Sequence, residues 1–168
     1  MRYNIPMAKE ELVMVSAAVV FKKHDNDPTK WFIISNNDED GWEIPKTVVR
    51  RGESSVRASI RITSEQAGMR TRVLEEVGRG SGATKLNNRP VTQKFLYYLM
   101  NCKDGGEIIG FNKFDWVEYK TLVKRLTNKR DLAMVAKAKD LLKELEQKKD
   151  IRTDEEIDEI EEDVEDMV

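Results

Sequence analysis

Histidine and cysteine are almost absent from this 168-residue chain, which has one of each, His24 and Cys102. A lone cysteine forms no internal disulfide, and the two residues together supply no zinc cluster. A catalytic pair of histidines is excluded too. His24 stands among Lys22, Lys23, Asp25 and Asp27 and reads as a solvated loop residue, and Cys102 lacks an activating pattern and reads as inert. Long apolar runs are also missing. The longest, Val13–Phe21, is broken by Ser16, whereas crossing a bilayer takes about 18 consecutive apolar residues. It follows Glu10 and Glu11 rather than a basic region and carries no signal-peptide cleavage pattern. The expected location is a reducing cytoplasm, without membrane association.

Charge, by contrast, is abundant, at 36% of residues, and the formal net of −2 conceals how it is distributed. Residues 151–168 hold ten Asp/Glu and one basic residue, Arg152; residues 1–150 hold 28 Lys/Arg against 21 Asp/Glu. A body of about +7 therefore carries a tail of about −9. Such a body favours anionic ligands, phosphates or nucleic acid among them. The length fits a single domain over residues 1–150, with 151–168 as an appended acidic segment.

Hydrophobic patterning gives a coarse order of elements. Leu12–Lys22 and Trp31–Ser35 read as strands, with turns at His24–Lys30 and Asn36–Gly41. Trp42–Pro45 is short and extended, and a loop follows through Gly52. Ser54 is placed as an N-cap, and Ser54–Gln66 reads as a helix stopping at Gly68, with Val56, Ile60 and Ala67 as its apolar stripe, widened by Ala58 and Ile62. Thr71–Val77 and Val91–Met100 are strands, separated by a basic Gly/Asn-rich loop, Gly78–Pro90. Glu107–Tyr119 carries further strand material. Leu122–Leu126 and Arg130–Lys149 are helices, the second presenting Leu132, Val135, Leu142 and Leu145 on one face. This order predicts an α/β or α+β layered domain. Tyr97, Tyr98, Trp42 and Phe114 read as core rather than as stacking platforms for a base.

The most informative stretch is Gly41–Met69, GWEIPKTVVRRGESSVRASIRITSEQAGM. Trp42, Ile44, Pro45 and Lys46 form a Trp-x-apolar-Pro-Lys lead-in. Glu53 follows Thr47 after five residues, Arg61 follows Glu53 after seven, and Glu65, Gln66, Gly68 and Met69 close the segment. In these spacings the stretch resembles the Nudix box of the hydrolases of nucleoside-diphosphate-linked compounds. The resemblance covers about Glu11–Lys149. It looks most like the diadenosine-tetraphosphate hydrolase branch, through Asn88-Arg89-Pro90, Phe95–Leu99 and Phe114-Asp115-Trp116-Val117. It implies a Nudix-type mixed sheet sandwiched between helices, a nucleotide or polyphosphate ligand, and a Mg²⁺- or Mn²⁺-dependent hydrolysis in members whose box is acidic.

Here the box reads RITSEQ, and two of its three glutamates are replaced. Thr47 stands where the box has its first Gly, Ile62 at the first Glu and Gln66 at the third; only Glu65 remains. Positions 62, 65 and 66, at i, i+3 and i+4, are expected on one helix face, where three carboxylates would hold hard divalent cations. Gly110 also stands six residues before Trp116, where that branch often has a Glu. The resemblance thus implies a metal held, if at all, by Glu65 with Glu53 and the Thr47 carbonyl, while Glu53 and Arg61 fix the loop–helix geometry. Two functions remain open. One is a catalytically impaired or inactive Nudix domain binding a nucleoside-diphosphate-linked or other phosphate ligand, RNA or a protein. The other is an active Mg²⁺-dependent pyrophosphohydrolase of dinucleoside polyphosphates or related nucleotides. A carboxylate such as Glu43, Glu107 or Asp115 reaching the Glu65 face would favour the second.

Candidate phosphate-binding cations are Lys46, Arg50, Arg51 and Arg57 in and beside the box loop, and Arg79, Lys85, Arg89 and Lys94 in or beside the Gly78–Pro90 loop. In the tail, Thr153-Asp154-Glu155-Glu156 fits a capping box, and Ile157, Ile160, Val164 and Met167 follow at helical spacing. Residues 153–168 therefore read as a helix docking on a partner, as a segment docking on this chain's own basic surface, or as a disordered acidic tail.

Overall fold

A computed structural model describes residues 11–24, 26–35 and 41–165, the last sixteen of these as backbone only. The chain forms β1 (Glu11–Lys22), β2 (Lys30–Ser35), β3 (Lys46–Val48), α1 (Ser55–Arg61), β4 (Met69–Leu86), β5 (Arg89–Gly105), β6 (Lys113–Val117), α2 (Tyr119–Arg125) and α3 (Lys129–Glu165). A five-residue π-helical turn, Ile62–Gln66, extends α1. One six-stranded sheet has the order β4-β5-β1-β2-β6, with β3 also on β1. β1 and β5 run parallel from Glu11↔Val91 to Phe21↔Asn101, and the other pairs are antiparallel. The sheet is mixed and lies between helices, as the Nudix resemblance implies.

Strand alternation divides the core into two layers. Val15, Ala17, Val19, Phe95, Tyr97 and Leu99 face α2 and α3, meeting Leu122, Val135 and Leu142. Ala18, Val20, Phe32, Leu96, Tyr98 and Met100 face the opposite way, toward the box helix, meeting Ile62 and Ala67. Ser16, which breaks the apolar run of β1, is fully buried and donates to the Ser55 carbonyl at 2.7 Å. Its hydroxyl therefore joins sheet to helix.

Two expectations are corrected here. Gly78–Pro90 is not a loop: β4 and β5 continue through it and meet in a two-residue turn at Asn87 and Asn88, with φ of 52° and 62°. Consecutive positive φ values suit the turn to the twist of a hairpin, and asparagine tolerates them. The glycines serve packing instead. At Gly80 a Cβ would lie 2.9 Å from Arg130 Cδ, so its absence lets α3 approach the strand. The second correction concerns the tail. α3 passes through Thr153 without interruption, so Thr153 does not cap a new helix. The side chains of Ile157, Ile160 and Val164, and all of Met167, lie outside the described residues.

Candidate functional site

The box folds as a loop and a helix locked by one ion pair. Ser54 caps α1, its hydroxyl accepting from the Arg57 N–H at 3.2 Å. Arg61 reaches back across the loop. Its Nε donates to Glu53 Oε2 at 2.9 Å, and its Nη2 donates to Glu53 Oε1 at 3.1 Å and to the Val48 carbonyl at 3.0 Å. Glu53 also accepts from the Arg50 N–H at 3.1 Å. The fork geometry matches carboxylate to guanidinium. The Arg61 hydrogen bonds, then the Arg50 amide, pull the Glu53 carboxyl from 4.5 to about 2. The Glu53 partnership raises Arg61, aided by the charge of Glu65.

The helix does not present positions 62, 65 and 66 together. Ile62 is 2% exposed among the apolar residues of the sheet, Glu65 is exposed and Gln66 half-buried. The buried stripe is Ala58, Ser59, Ile62, Thr63 and Ala67, whereas Val56 and Ile60 are exposed, against the expected stripe. Ser59 and Thr63 enter the core because their hydroxyls donate to the Val56 and Ile60 carbonyls at 2.7 and 2.9 Å. A π-helical turn winds more slowly than an α-helix, which rotates Glu65 away from Ile62.

The end of the box is covered by backbone. The Gly106 N–H donates to the Gly68 carbonyl at 2.7 Å and the Gly110 N–H to the Gln66 carbonyl at 2.9 Å. Glu107 packs its main chain against Gly68, and its side chain is exposed. Asp115 turns to α2 and pairs with Arg125. Glu43 lies 4.0 Å from Lys46. Mg²⁺ and Mn²⁺ favour several oxygen ligands in a rigid shell. Among the described residues no group of three or more His, Cys, Asp or Glu is placed to hold a metal ion. Glu53 is committed to Arg61, and the register places Thr47 opposite Ser16 in a hydrogen-bonded pair, turning its carbonyl to β1. The described residues do not by themselves fit a divalent metal.

The basic residues separate into three places. Arg79 and Lys94 line a cleft of about 310 Å³ on the box-helix face, with Met14, Ser81 and Leu96. The Val49 N–H donates to the Met14 carbonyl at 2.8 Å, bringing the turn that carries Arg50 and Arg51 alongside that cleft. Arg57 is exposed on the first turn of α1. Lys85 and Arg89 sit instead at the hairpin tip, Arg89 about 17 Å along β5 from Lys94 at strand rise. Arg89 is 3.9 Å from Glu11 there.

Lys46 takes the third place, on the other face of the sheet. Its Nζ lies 2.8 Å from Asp131, a fully buried carboxylate that also accepts from the Tyr97 hydroxyl at 2.6 Å and from the Ile44 N–H at 3.1 Å. Burial, then the Asp131 charge, push the Tyr97 hydroxyl far above its ordinary range. This network was missed in the sequence. Its only signal is an acid, Asp131, on the apolar side of α3 between Val135 and the strand residues it meets.

No protein-family profile and no curated protein sequence matches the chain. Solved structures do. An Ap4A hydrolase of C. elegans, in a binary complex, has a TM-score of 0.60 at 18% identity, over 77% of this chain and 97% of that one. The NUDIX domain of Shewanella oneidensis NrtR, complexed with ADP ribose, has a TM-score of 0.59 at 15% identity, over 82% and 92%. The E. coli ORF135 protein has a TM-score of 0.56 at 18% identity, over 81% and 94%. The chain has the fold of the Nudix hydrolases. Within that fold it resembles the Ap4A hydrolase branch, as its flanking strands predict.

Proposed function

We propose that this chain binds a nucleotide or another polyphosphate directly through cationic side chains and does not hydrolyse it. The observation that carries this reading is the cleft on the box-helix face, where Arg79 and Lys94 stand over the apolar side chains of Met14 and Leu96 beside the Arg50–Arg51 turn. The Arg79 Nε donates to Glu76 Oε1 at 2.7 Å, which leaves its terminal N–H groups to grip phosphate oxygens, while Lys94 adds a mobile point charge and the apolar floor accepts a ring or ribose face. Binding needs only this positive potential. Hydrolysis through a bound metal would need carboxylates converging on one point, and Glu65 stands apart from Ile62 while Glu53 is held by Arg61. The ADP-ribose complex of the NrtR domain supports a nucleotide as the ligand class. A single-stranded RNA end is a further ligand of the same chemistry.

The test is calorimetric titration with ADP-ribose, diadenosine tetraphosphate and a capped RNA oligonucleotide, with and without Mg²⁺, followed by product analysis. Binding without Mg²⁺ that weakens in Arg79→Ala and Lys94→Ala, with no products formed, is the expected result. Turnover that Glu65→Gln abolishes would establish the hydrolase instead.

A further inference from the structure

The box-helix face of the sheet continues past the end of the box, and there it opens into a separate cleft of about 370 Å³. β1 carries Ala18 and Val20 under the box helix and then Lys22 beyond it; β5 carries Leu96, Tyr98 and Met100 and then Cys102. Met69, Cys102, Ile108 and Trp116 form the floor, and Lys22, His24 and Lys103 stand around it. Lys22 is six residues along β1 from Ser16, which contacts the start of α1, or about 20 Å at strand rise. The polyphosphate cleft, lined by Met14 and Lys94, lies still nearer the start of β1.

We propose that this cleft is a second ligand site, for a small flat ring bearing one acidic group. The volume suits a single-ring ligand. Two sulfur atoms, of Met69 and Cys102, and the Trp116 indole line it, and sulfur makes favourable contacts with aromatic rings. An apolar floor of this kind desolvates a ring and offers nothing to a bare ion. The charge requirement comes from the rim. The Lys22 ammonium is held 4.2 Å from the Trp116 ring centre; burial raises the Cys102 thiol, and the Lys22 charge opposes that only in part. Asp104, the acid of the rim, is bound to Arg70 at 2.8 Å. Among the described residues neither Lys22 nor Lys103 has a carboxylate at ion-pair distance. A ring acid would lay its ring over the sulfur atoms and place its oxygens on Lys22, displacing water from both.

Cys102 supplies the readout, because it is the only cysteine in the chain. Burial raises the Cys102 thiol, so only a small thiolate fraction reacts with iodoacetamide at about pH 8.5; this slow alkylation is followed by intact mass on the full chain. The probes are benzoate and phenyl phosphate, with benzamide as the ring without charge and inorganic phosphate as the charge without ring. At about five times its dissociation constant a ring acid slows alkylation roughly six-fold, since only the empty fraction reacts. Benzamide and inorganic phosphate leave the rate unchanged, and Lys22→Met loses the protection. No protection by either ring acid overturns the proposal, as does equal protection by benzamide or undiminished protection in Lys22→Met. The Trp116 indole N–H resonance gives a second measurement, shifting on titration of the unmodified protein; no shift also overturns it. The outcome is independent of polyphosphate binding, because Arg79→Ala and Lys94→Ala leave Cys102 protection intact.

Discussion

The Gly110 N–H donates to the Gln66 carbonyl at 2.9 Å, joining two positions at which the chain departs from the acidic pattern of the Nudix box and its branch. The two departures meet in the structure. With no side chain at 110 the loop from Gly106 lies directly on the end of the box helix, and backbone fills the space that a carboxylate would need.

A side chain at 110 should therefore be expensive. The Cβ of Gly110→Ala would sit 2.6 Å from the Gln66 Cα, and main chain on both sides gives little. We expect a loss of about 1–3 kcal/mol in chemical denaturation, the usual cost of overpacking. Gly41→Ala, with no described atom within 4 Å of its Cβ, should change stability by less than about 0.5 kcal/mol.

Restoring the acidic pattern at Ile62 should damage the protein rather than activate it. Ile62 is 2% exposed in an apolar layer, and an uncompensated buried charge costs about 3–5 kcal/mol. Burial would raise the carboxyl of Ile62→Glu, so its penalty should shrink as pH falls and the neutral form takes over. Ile62→Val should cost only about 0.5–1.5 kcal/mol. Urea denaturation at two pH values checks both statements.

Asp131 is the anchor of the opposite face. Asp131→Ala removes the partner of Lys46, Tyr97 and the Ile44 N–H together, leaving a cation and two donors in the interior, and we expect about 3–5 kcal/mol of destabilisation. Ultraviolet titration gives a second signature. Tyr97 should resist ionisation up to alkaline unfolding in the unmodified protein. In Asp131→Asn, without the repelling charge, it should ionise at lower pH. Because its folded value is raised, its contribution is present below the ordinary tyrosine range near 10 and is lost as pH rises above it.

The Glu53–Arg61 lock carries the acid dependence. The folded carboxyl titrates at about 2 against 4.5 when unperturbed. The unfolded chain thus binds the proton first, and the stabilisation is fully present above about pH 4.5 and drains away as pH falls toward 2. Glu53→Gln should lie below the unmodified protein at neutral pH and converge on it through that window. Parallel curves across it would show that the pair contributes nothing.

Much of the fold was legible because its signals are local. The apolar runs of β1 and β2, the Ser54 cap, the Glu53–Arg61 spacing and the period of α3 each sit within a few turns of chain. The Gly78–Pro90 segment misled because glycine reads as a loop former, whereas here its missing Cβ makes room for Arg130 from a helix fifty residues later. The box helix misled because residue spacing assumes α-helical winding, and its last turn is π-helical.

The sequence alone determined the layered class, the Nudix resemblance and the charge split between body and tail, since periodicity, motif spacing and composition are properties of the chain itself. Tertiary structure decided which cations share a cleft. Strand alternation sends Arg79 and Lys94 to one face and Lys46 to the other, onto an aspartate 85 residues away. It also decided that Ile62 is core, because the space beneath it is set by strands that pair with one another across the sheet and leave no trace in the residues beside it.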